Sequence, residues 1–556
     1  MFTRILLYIA PFLITTYACS PNFEEGFIYD NVNGYTLSQN GELIEFEAIA
    51  VRDGKVLDTG TSIDMLSEYP NLERKDGKGN TLLPGFIDSH AHVMGLGIRE
   101  LDVNVAGIRS LEETLEAVRQ FAEENPDREW ITGQGWNQVL WEENEFPTAE
   151  DLDRLFPARP VYLTRVDGHA AWANTRAMEI AGINRDTPDL KGGVILRDDN
   201  EDATGIFVDA TMQYLREMIP ERTDEDYEYA LELALEKMAQ YGITSVHDAR
   251  TDSYEWALYK RFADEGKLTT RIYAMIAGTG ETFNEMSADG PVYSYADDLL
   301  SLRSVKISAD GALGSRGAAL LEDYHDDPGN KGLLFYSQEE LNQMLLKGAS
   351  AGFQMNIHSI GDAANRQVLD AFEFITNELD NQQELRHRIE HAQVVALNDI
   401  PRFAELGIIA SMQPTHATSD MNMAEDRVGS ERISGSYAWQ KFLEQGTVIA
   451  GGSDFPVEDV NPFYGLYSAV TRQDHGGMPP NGWYSEERMS RTEAFRAFTL
   501  DAAFSAHQED VTGTLEPGKQ ADFILVDQDF FEVPASQIWQ IEVLETWLAG
   551  NNIYKQ

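Results

Sequence analysis

The feature that most constrains the fold is a long alternation of short apolar strands and helical stretches through the middle of the chain. Ten candidate strands end near these residues: His90, Gly133, Thr164, His247, Ala277, Ala309, His358, His391, Met412 and Ser453. Strands that alternate with helices predict a parallel sheet or barrel. The candidates near Gly133 and Thr164 lie in an aromatic-rich block, which we interpret as an insertion. The other eight predict an α/β fold of the (β/α)8 TIM barrel type.

Strand-like runs at both ends of the chain predict a small β domain built from the two termini. Near the N-terminus, Asp53 and Gly54 form a hairpin-turn signal between two such runs. Near the C-terminus, another apolar run occupies residues 521–526. We therefore expect the β domain, the barrel and an insertion within it at these residues: 19–83 with 506–556, 84–505, and about 125–215.

The N-terminus has the layout of a secretory signal. Arg4 precedes an apolar run at residues 5–14, which is too short to span a bilayer. The only cysteine of the chain, Cys19, follows shortly after this run. The segment resembles the lipobox of bacterial lipoproteins. This resemblance implies a signal peptide at residues 1–18, export across the inner membrane, and lipidation of Cys19 on a membrane facing the periplasm or exterior. An ordinary signal peptide with a chance cysteine is the alternative.

The charge of the chain excludes some classes of partner. The 93 acidic residues outnumber the 43 basic ones, which gives a formal net charge of −50. Such a surface repels nucleic acid and anionic lipid, so we expect neither to bind the folded body. We expect a small-molecule substrate, and membrane contact through the lipid anchor only. With Cys19 lipidated, the mature chain has neither a disulfide nor a thiol nucleophile.

The predicted barrel strands carry a group of metal-ligand side chains at their C-terminal ends, where barrel enzymes place their active sites. His90 and His92 are two residues apart, so an extended chain directs both imidazoles to one side. His358 and His391 end two later strands, and Asp454 follows the last one. Imidazole suits zinc and similar divalent metals, and a carboxylate completes an open catalytic site. The pattern predicts a metal centre.

Lys306 is unusual because it lies inside an apolar strand. A buried ammonium needs a partner or a lowered pKa. Carboxylation by CO₂ would convert Lys306 into an anion that can bridge two metals. The alternative is an uncarboxylated lysine paired with a nearby acid, which would leave one metal.

Seven motifs in a fixed order resemble the amidohydrolase superfamily, in the branch that includes N-substituted formamide deformylase. The similarity spans roughly residues 25 to 550. The motifs are PGFIDSHAH at 84–92, SVKI at 304–307, DGALGSRGA at 310–318, HSIGD at 358–362, RIEHA at 388–392, QPTHA at 413–417 and GSDFPV at 452–457.

The resemblance implies the following metal ligands: His90 and His92 for a first ion, carboxylated Lys306 as a bridge, His358 and His391 for a second ion, and Asp454. It implies one or two bound divalent ions, with zinc as the expected metal, and CO₂ as the reagent that carboxylates Lys306. The implied activity is hydrolysis of a carbon–nitrogen bond in an amide or formamide-like substrate. Water acidified by the metal attacks the carbonyl. Asp454 acts as general base and then returns the proton to the leaving amine.

Three further residues are predicted to contact the substrate: His169 in the insertion, Arg316 beyond the fourth strand, and His416 after the seventh. Each has a structural alternative, which for Arg316 is an ion pair with a local acid. For His247 we expect packing or support of the site. Trp130, Trp136, Trp141 and Trp172 suggest either an apolar substrate group or the core of the insertion.

Two other functions stay open at this point. A deaminase of the same superfamily would use one metal and an acid on strand five as proton shuttle, and the residues around His358 offer no such acid. A non-catalytic lipoprotein that captures a ligand would have lost metal ligands, and none is lost here. Measured zinc content discriminates this binding module from the hydrolase, because a binding module need hold no stoichiometric metal.

Overall fold

The structure, a computed structural model, describes residues 26–142, 144–165, 168, 170–380 and 382–556. The predicted signal peptide, Cys19 and His169 lie outside the described residues. Among the described residues, no helix combines the length and apolar character needed to cross a bilayer.

Eight parallel strands form the central barrel. In chain order they are Phe86–Ala91, Ile243–Thr251, Arg271–Ala277, Leu300–Ser308, Gln354–Ser359, Arg388–His391, Ile409–Met412 and Ile449–Gly451. Each strand pairs with the next one along the chain, and a short antiparallel strand, Val292–Tyr295, pairs with the fourth. The Ser89 hydroxyl donates to the Gly451 carbonyl at 2.7 Å, and this bond links the eighth strand to the first. The predicted TIM barrel is confirmed.

The helices that follow the barrel strands have these bounds: Val93–Glu100, Asp224–Gln240, Ser253–Asp264, Glu281–Met286, Gln338–Ser350, Asp362–Glu378, Ile400–Leu406, Pro414–Asp420, Ala424–Arg432, Trp439–Glu444, Pro462–Thr471, Arg491–Ala497 and Leu500–Ser505. Several begin at a capping box, as at Thr223 and Asp226, where side chains satisfy the free backbone N–H groups of the first turn. Their apolar faces pack on the strands in one continuous core.

The second barrel strand runs to Thr251, four residues beyond the end expected at His247. Its pairing register shifts between Ala249 and Thr251, and Arg250 between them has a φ of 74°. This irregular end brings the Ala249 carbonyl to His92, where it contacts the Nδ1 atom at 2.9 Å.

A second sheet of six strands lies in the chain between the first and second barrel strands. Its strands are Val103–Asn104, Ile131–Trp136, Val161–Arg165, Ala170–Ala173, Gly193–Arg197 and Ala203–Asp209, accompanied by the helices Leu111–Glu124, Ala149–Asp153, Thr175–Ile180 and Gln213–Arg216. Trp136, Trp141 and Trp172 are buried together, and Trp130 is buried in a neighbouring cluster. These tryptophans form the insertion's own core, so they carry no argument for an aromatic substrate.

A third sheet joins both ends of the described chain. Its strands are Phe27–Leu37, Leu43–Arg52, Lys55–Gly60, Glu73–Asp76, Thr81–Pro84, Phe523–Val526, Val543–Leu548 and Asn551–Lys555, with the helix Ser62–Glu68 beside them. Asp53 and Gly54 make the expected two-residue turn, with φ values of 52° and 76°. Buried Arg271 and Asp522 form an ion pair at 2.7 Å between this part of the chain and the barrel. The sheet also contains Thr81–Pro84, the strand directly before the first barrel strand, and so holds the chain at that point.

Candidate metal centre

The C-terminal ends of the barrel strands bring six of the predicted site residues to one end of the barrel. They are His90 from the first strand, His92 directly after it, Lys306 from the fourth, His358 from the fifth, His391 from the sixth, and Asp454 just after the eighth. His416 joins them from the helix Pro414–Asp420, which directly follows the seventh strand.

His90, His92 and Asp454 form a compact donor group. The Nε2 atoms of His90 and His92 lie 3.6 and 3.2 Å from Asp454 Oδ1. The other ring nitrogens are engaged elsewhere, since His90 Nδ1 contacts Glu390 at 2.5 Å and His92 Nδ1 contacts the Ala249 carbonyl. Both imidazoles therefore direct Nε2 at the same carboxylate oxygen.

This donor group fits a divalent metal such as zinc. Bonds of about 2.0–2.1 Å in a tetrahedral arrangement separate neighbouring ligand atoms by roughly 3.4 Å, close to the two distances to Asp454 Oδ1. Burial and the neighbouring Lys306 lower the pKa of His90 to about 4, so its imidazole is neutral at neutral pH, which is the form that binds metal. Burial alone would raise the pKa of Asp454, but His92 and the nearby imidazoles lower it below its usual range.

His391, His416 and Asp454 form a second donor group that shares the same carboxylate. His416 Nε2 lies 3.7 Å from Asp454 Oδ2, the oxygen that faces away from His92. His391 Nδ1 lies 2.7 Å from Gln413 Oε1, so Nε2 is the ring nitrogen that could bind an ion. Gln413 thus orients His391 as Glu390 orients His90.

Lys306 and His358 lie beside these groups. Lys306 is buried, with Nζ 3.2 Å from His90 Nε2, and burial lowers its pKa to about 8. His358 packs against His391 with ring centroids 4.5 Å apart. His358 Nε2 lies 3.7 Å from Asp310 Oδ1 and, among the described residues, has no hydrogen-bond partner.

A buried ionic cluster contacts His90 and supports its orientation. Glu390 contacts His90 and also pairs with Arg388, whose Nε atom lies 2.9 Å from Glu390 Oε1. Arg388 in turn contacts His247 Nδ1 at 3.0 Å. All four side chains are fully buried. His247 therefore takes the supporting position expected for it. Sequence reasoning missed Glu390, although its place directly before His391 in the RIEHA motif was a signal.

Asp88 was also missed, although it lies in the first motif. Its carboxylate accepts hydrogen bonds from the backbone N–H groups of His90 and Ser453, each at 3.1 Å, and from the Ser453 hydroxyl at 2.6 Å. Asp88 therefore links the end of the strand that carries His90 to the loop that carries Asp454 by hydrogen bonds. Asp454 and His391 both have positive φ, 62° and 75°. Such backbone strain persists only where surrounding contacts enforce it, and it concentrates at functional sites.

The three residues predicted to contact substrate differ in their placement. His416 lies in the site, within reach of Asp454. Arg316 pairs with Asp326 at 2.9 Å, and Arg427 pairs with the same carboxylate. Arg316 therefore has the local acidic partner that was its structural alternative. His169 is outside the described residues.

Known protein families include one whose sequence model matches most of this chain. The sequence model of a family described as "Amidohydrolase family" matches residues 75–554 of the chain. The chain belongs to the amidohydrolase family. YtcJ of Bacillus subtilis is 32% identical over 534 residues, which cover 94% of this chain and 98% of YtcJ. N-substituted formamide deformylase of Arthrobacter pascens is 26% identical over 521 residues, which cover 91% of this chain and 94% of that enzyme.

A solved structure extends the likeness to three dimensions. It is that of an uncharacterized metal-dependent hydrolase from Pyrococcus horikoshii, with 28% identity and a TM-score of 0.74 over 92% of this chain and 99% of that one. As a member of this family, the protein is an enzyme that uses a divalent metal to hydrolyse carbon–nitrogen bonds outside peptides.

Proposed function

We propose that this enzyme hydrolyses an amide or formamide-like bond of a small molecule, with its metal held by His90, His92 and Asp454. The observation that supports this most is the convergence of two imidazole Nε2 atoms on one carboxylate oxygen at the C-terminal end of the barrel. A divalent metal, which we expect to be zinc, would supply Lewis-acid polarisation of the carbonyl and acidification of water.

Asp454 is proposed as the general base. Its Oδ1 atom faces His90 and His92, while Oδ2 faces His416. The pKa of this carboxyl is lowered, so it is ionised and ready to accept a proton at neutral pH. Oδ2 would take the proton of the attacking water and then hand it to the departing amine nitrogen. We propose that His416, whose Nε2 atom lies 3.7 Å from Oδ2, contacts the same substrate group.

Lys306 and His358 enter the proposal through the resemblance. Carboxylation of Lys306 requires the neutral amine, and a pKa lowered to about 8 by burial makes that form accessible near neutral pH. A carboxylated Lys306 would supply the bridge to a second ion held by His358 and His391. This arrangement stays a prediction.

The proposed substrate class is supported by a relative of known activity. N-substituted formamide deformylase is similar to this chain over almost its whole length. We therefore propose N-formyl and N-acyl amines as the first compounds to test. The buried tryptophans of the insertion do not indicate which substituent the amine of the substrate carries.

The test is a screen of N-formyl and N-acyl amines with zinc-loaded protein, with release of the free amine as the readout. Asp454→Asn should lower kcat by about 10²–10⁴-fold, whereas Asp326→Asn, a change of an acid paired with arginines away from the metal group, should keep kcat. The proposal fails if zinc-loaded wild type releases no amine from any of these compounds, or if Asp454→Asn keeps full activity. Ammonia released from ring amines alone would favour the deaminase.

A further inference from the structure

We propose that Asp420 and Glu458 select substrates whose amine substituent carries a positive charge, so that the preferred substrates are N-formyl or N-acyl derivatives of diamines. The inference deepens the proposed function and rests on it, because it concerns the part of the substrate that leaves as the amine. Neither residue is a metal ligand in that proposal, and the ligands given there are unchanged.

The two acids lie on either side of His416. His416 and Asp420 are four residues apart in the helix Pro414–Asp420, so they share one face of it. Glu458 is in the loop after the eighth strand, and its Oε1 atom accepts a hydrogen bond from the Ser419 hydroxyl at 2.5 Å. Both carboxylates interact electrostatically with the imidazole of His416. The helix and the loop therefore bring two acids from different parts of the chain to one imidazole.

The departing amine is placed near these acids by Asp454, whose Oδ2 atom is proposed to give it a proton. Asp454 is only 7% exposed, and Oδ2 faces the Nε2 atom of His416 across 3.7 Å, a gap wider than a hydrogen bond. This buried oxygen is therefore directed into the space beside His416. A substituent on the amine would extend from there past His416 towards Asp420 and Glu458.

The two carboxylates have capacity for a positive charge. Neither forms an ion pair with a lysine or arginine among the described residues. Asp420 Oδ2 accepts a hydrogen bond from the Tyr437 hydroxyl at 2.7 Å, which holds the side chain in place. Burial, together with repulsion from Asp420 and Asp454, raises the pKa of Glu458. A substrate ammonium beside the two acids would offset this repulsion.

The spacing of these groups indicates the length of the substituent. Residues four apart on a helix face have Cβ atoms about 5–6 Å apart, so the charge of the substrate should lie roughly one helical turn beyond the nitrogen that is released beside His416. A short diamine, with about four carbons between its nitrogens, spans roughly this distance. A neutral alkyl chain of the same length would leave both acids partly desolvated without a partner, which costs free energy.

The first test compares two substrates of nearly equal shape with zinc-loaded protein. N-formyl-1,4-diaminobutane ends in an ammonium, and N-formylpentylamine has a methyl group in its place. Wild type should hydrolyse the cationic compound with a kcat/KM about 10–100-fold higher, the range expected for hydrogen bonds to a charged group. The readout is the ratio of the two kcat/KM values.

The variants Glu458→Gln and Asp420→Asn each keep the shape of the side chain and remove one negative charge. Each should lower the ratio by about tenfold, mainly through KM for the cationic compound, whatever the rate with the neutral one. The control Asp426→Asn, a change of an exposed acid in the helix Ala424–Arg432, should keep the wild-type ratio. Both compounds are measured on the same protein, so any loss of folded enzyme cancels from the ratio.

Binding of the free amines provides a readout that does not depend on hydrolysis. Calorimetry should show that 1,4-diaminobutane binds wild type more tightly than pentylamine does, and Glu458→Gln should reduce the difference. The inference is overturned if wild type prefers neither the cationic substrate nor the diamine, or if either variant keeps the full preference. A wild type that prefers the diamine through Glu458 but hydrolyses neither formamide would contradict the proposed function and leave the charge selection standing.

Discussion

Replacing Glu390 by Gln tests whether a buried carboxylate sets the orientation of His90. Glu390 Oε2 lies 2.5 Å from His90 Nδ1, and Arg388 Nε lies 2.9 Å from Glu390 Oε1. All three side chains are fully buried. The substitution keeps the shape of the side chain and an acceptor oxygen, and it removes the negative charge.

The expected magnitudes follow from these contacts. At an effective dielectric of about 20, opposite charges 2.9 Å apart attract by about 6 kcal/mol. Much of this offsets the cost of burying the charges, and leaving one partner of a buried pair uncompensated costs about 3–5 kcal/mol. A carboxylate bound to a metal-ligating imidazole typically contributes ~10–100-fold to metal affinity. Glu390→Gln should therefore lower both the Tm and the affinity of His90, His92 and Asp454 for zinc.

The matched control is Glu545→Gln in the sheet formed by the chain ends. Glu545 is also a largely buried acid, and it accepts hydrogen bonds from the Tyr29 hydroxyl and Trp547 Nε1, each at 2.9 Å. Both variants should lower the Tm, but competition with a zinc chelator should show weaker binding only in Glu390→Gln. If Glu390→Gln binds zinc as tightly as wild type, Glu390 does not set the metal-binding geometry of His90.

Three further predictions follow from individual residues. His92→Ala should lower both bound zinc and kcat/KM by orders of magnitude, and full metal occupancy with normal turnover would exclude His92 as a ligand. Cys19→Ser should shift the protein from the membrane to the soluble fraction or block its processing, while unchanged membrane association would argue against lipidation. Burial lowers the pKa of His387 to about 3, against about 6.5 in an unfolded chain. Neutral His387 therefore contributes stability above about pH 6.5, and about 3 kcal/mol of it is lost by about pH 4.5. His387→Gln should shrink the fall in Tm between about pH 7 and about pH 4.5, and an equal fall in both proteins would contradict this assignment.

The sequence was sufficient to predict the barrel and where its ligand side chains begin. Apolar runs alternating with helices indicated the eight strands, because a parallel strand that is buried on both faces forms a continuous apolar run in the sequence. The spacing of His90 and His92 predicted that both rings point to one side, since that depends only on local backbone geometry. These inferences use contacts between residues that are neighbours in the chain.

Only the tertiary structure decided which distant side chains meet. Glu390 and His90 are 300 positions apart, and closure of the barrel brings them into contact. The same closure places Asp454 between His92 and His416, so that its two oxygens face different imidazoles. The burial of the insertion's tryptophans and the pairing of Arg316 with Asp326 were equally undecided by sequence. The partner of a side chain depends on how all the intervening elements pack together. No local sequence pattern determines that packing.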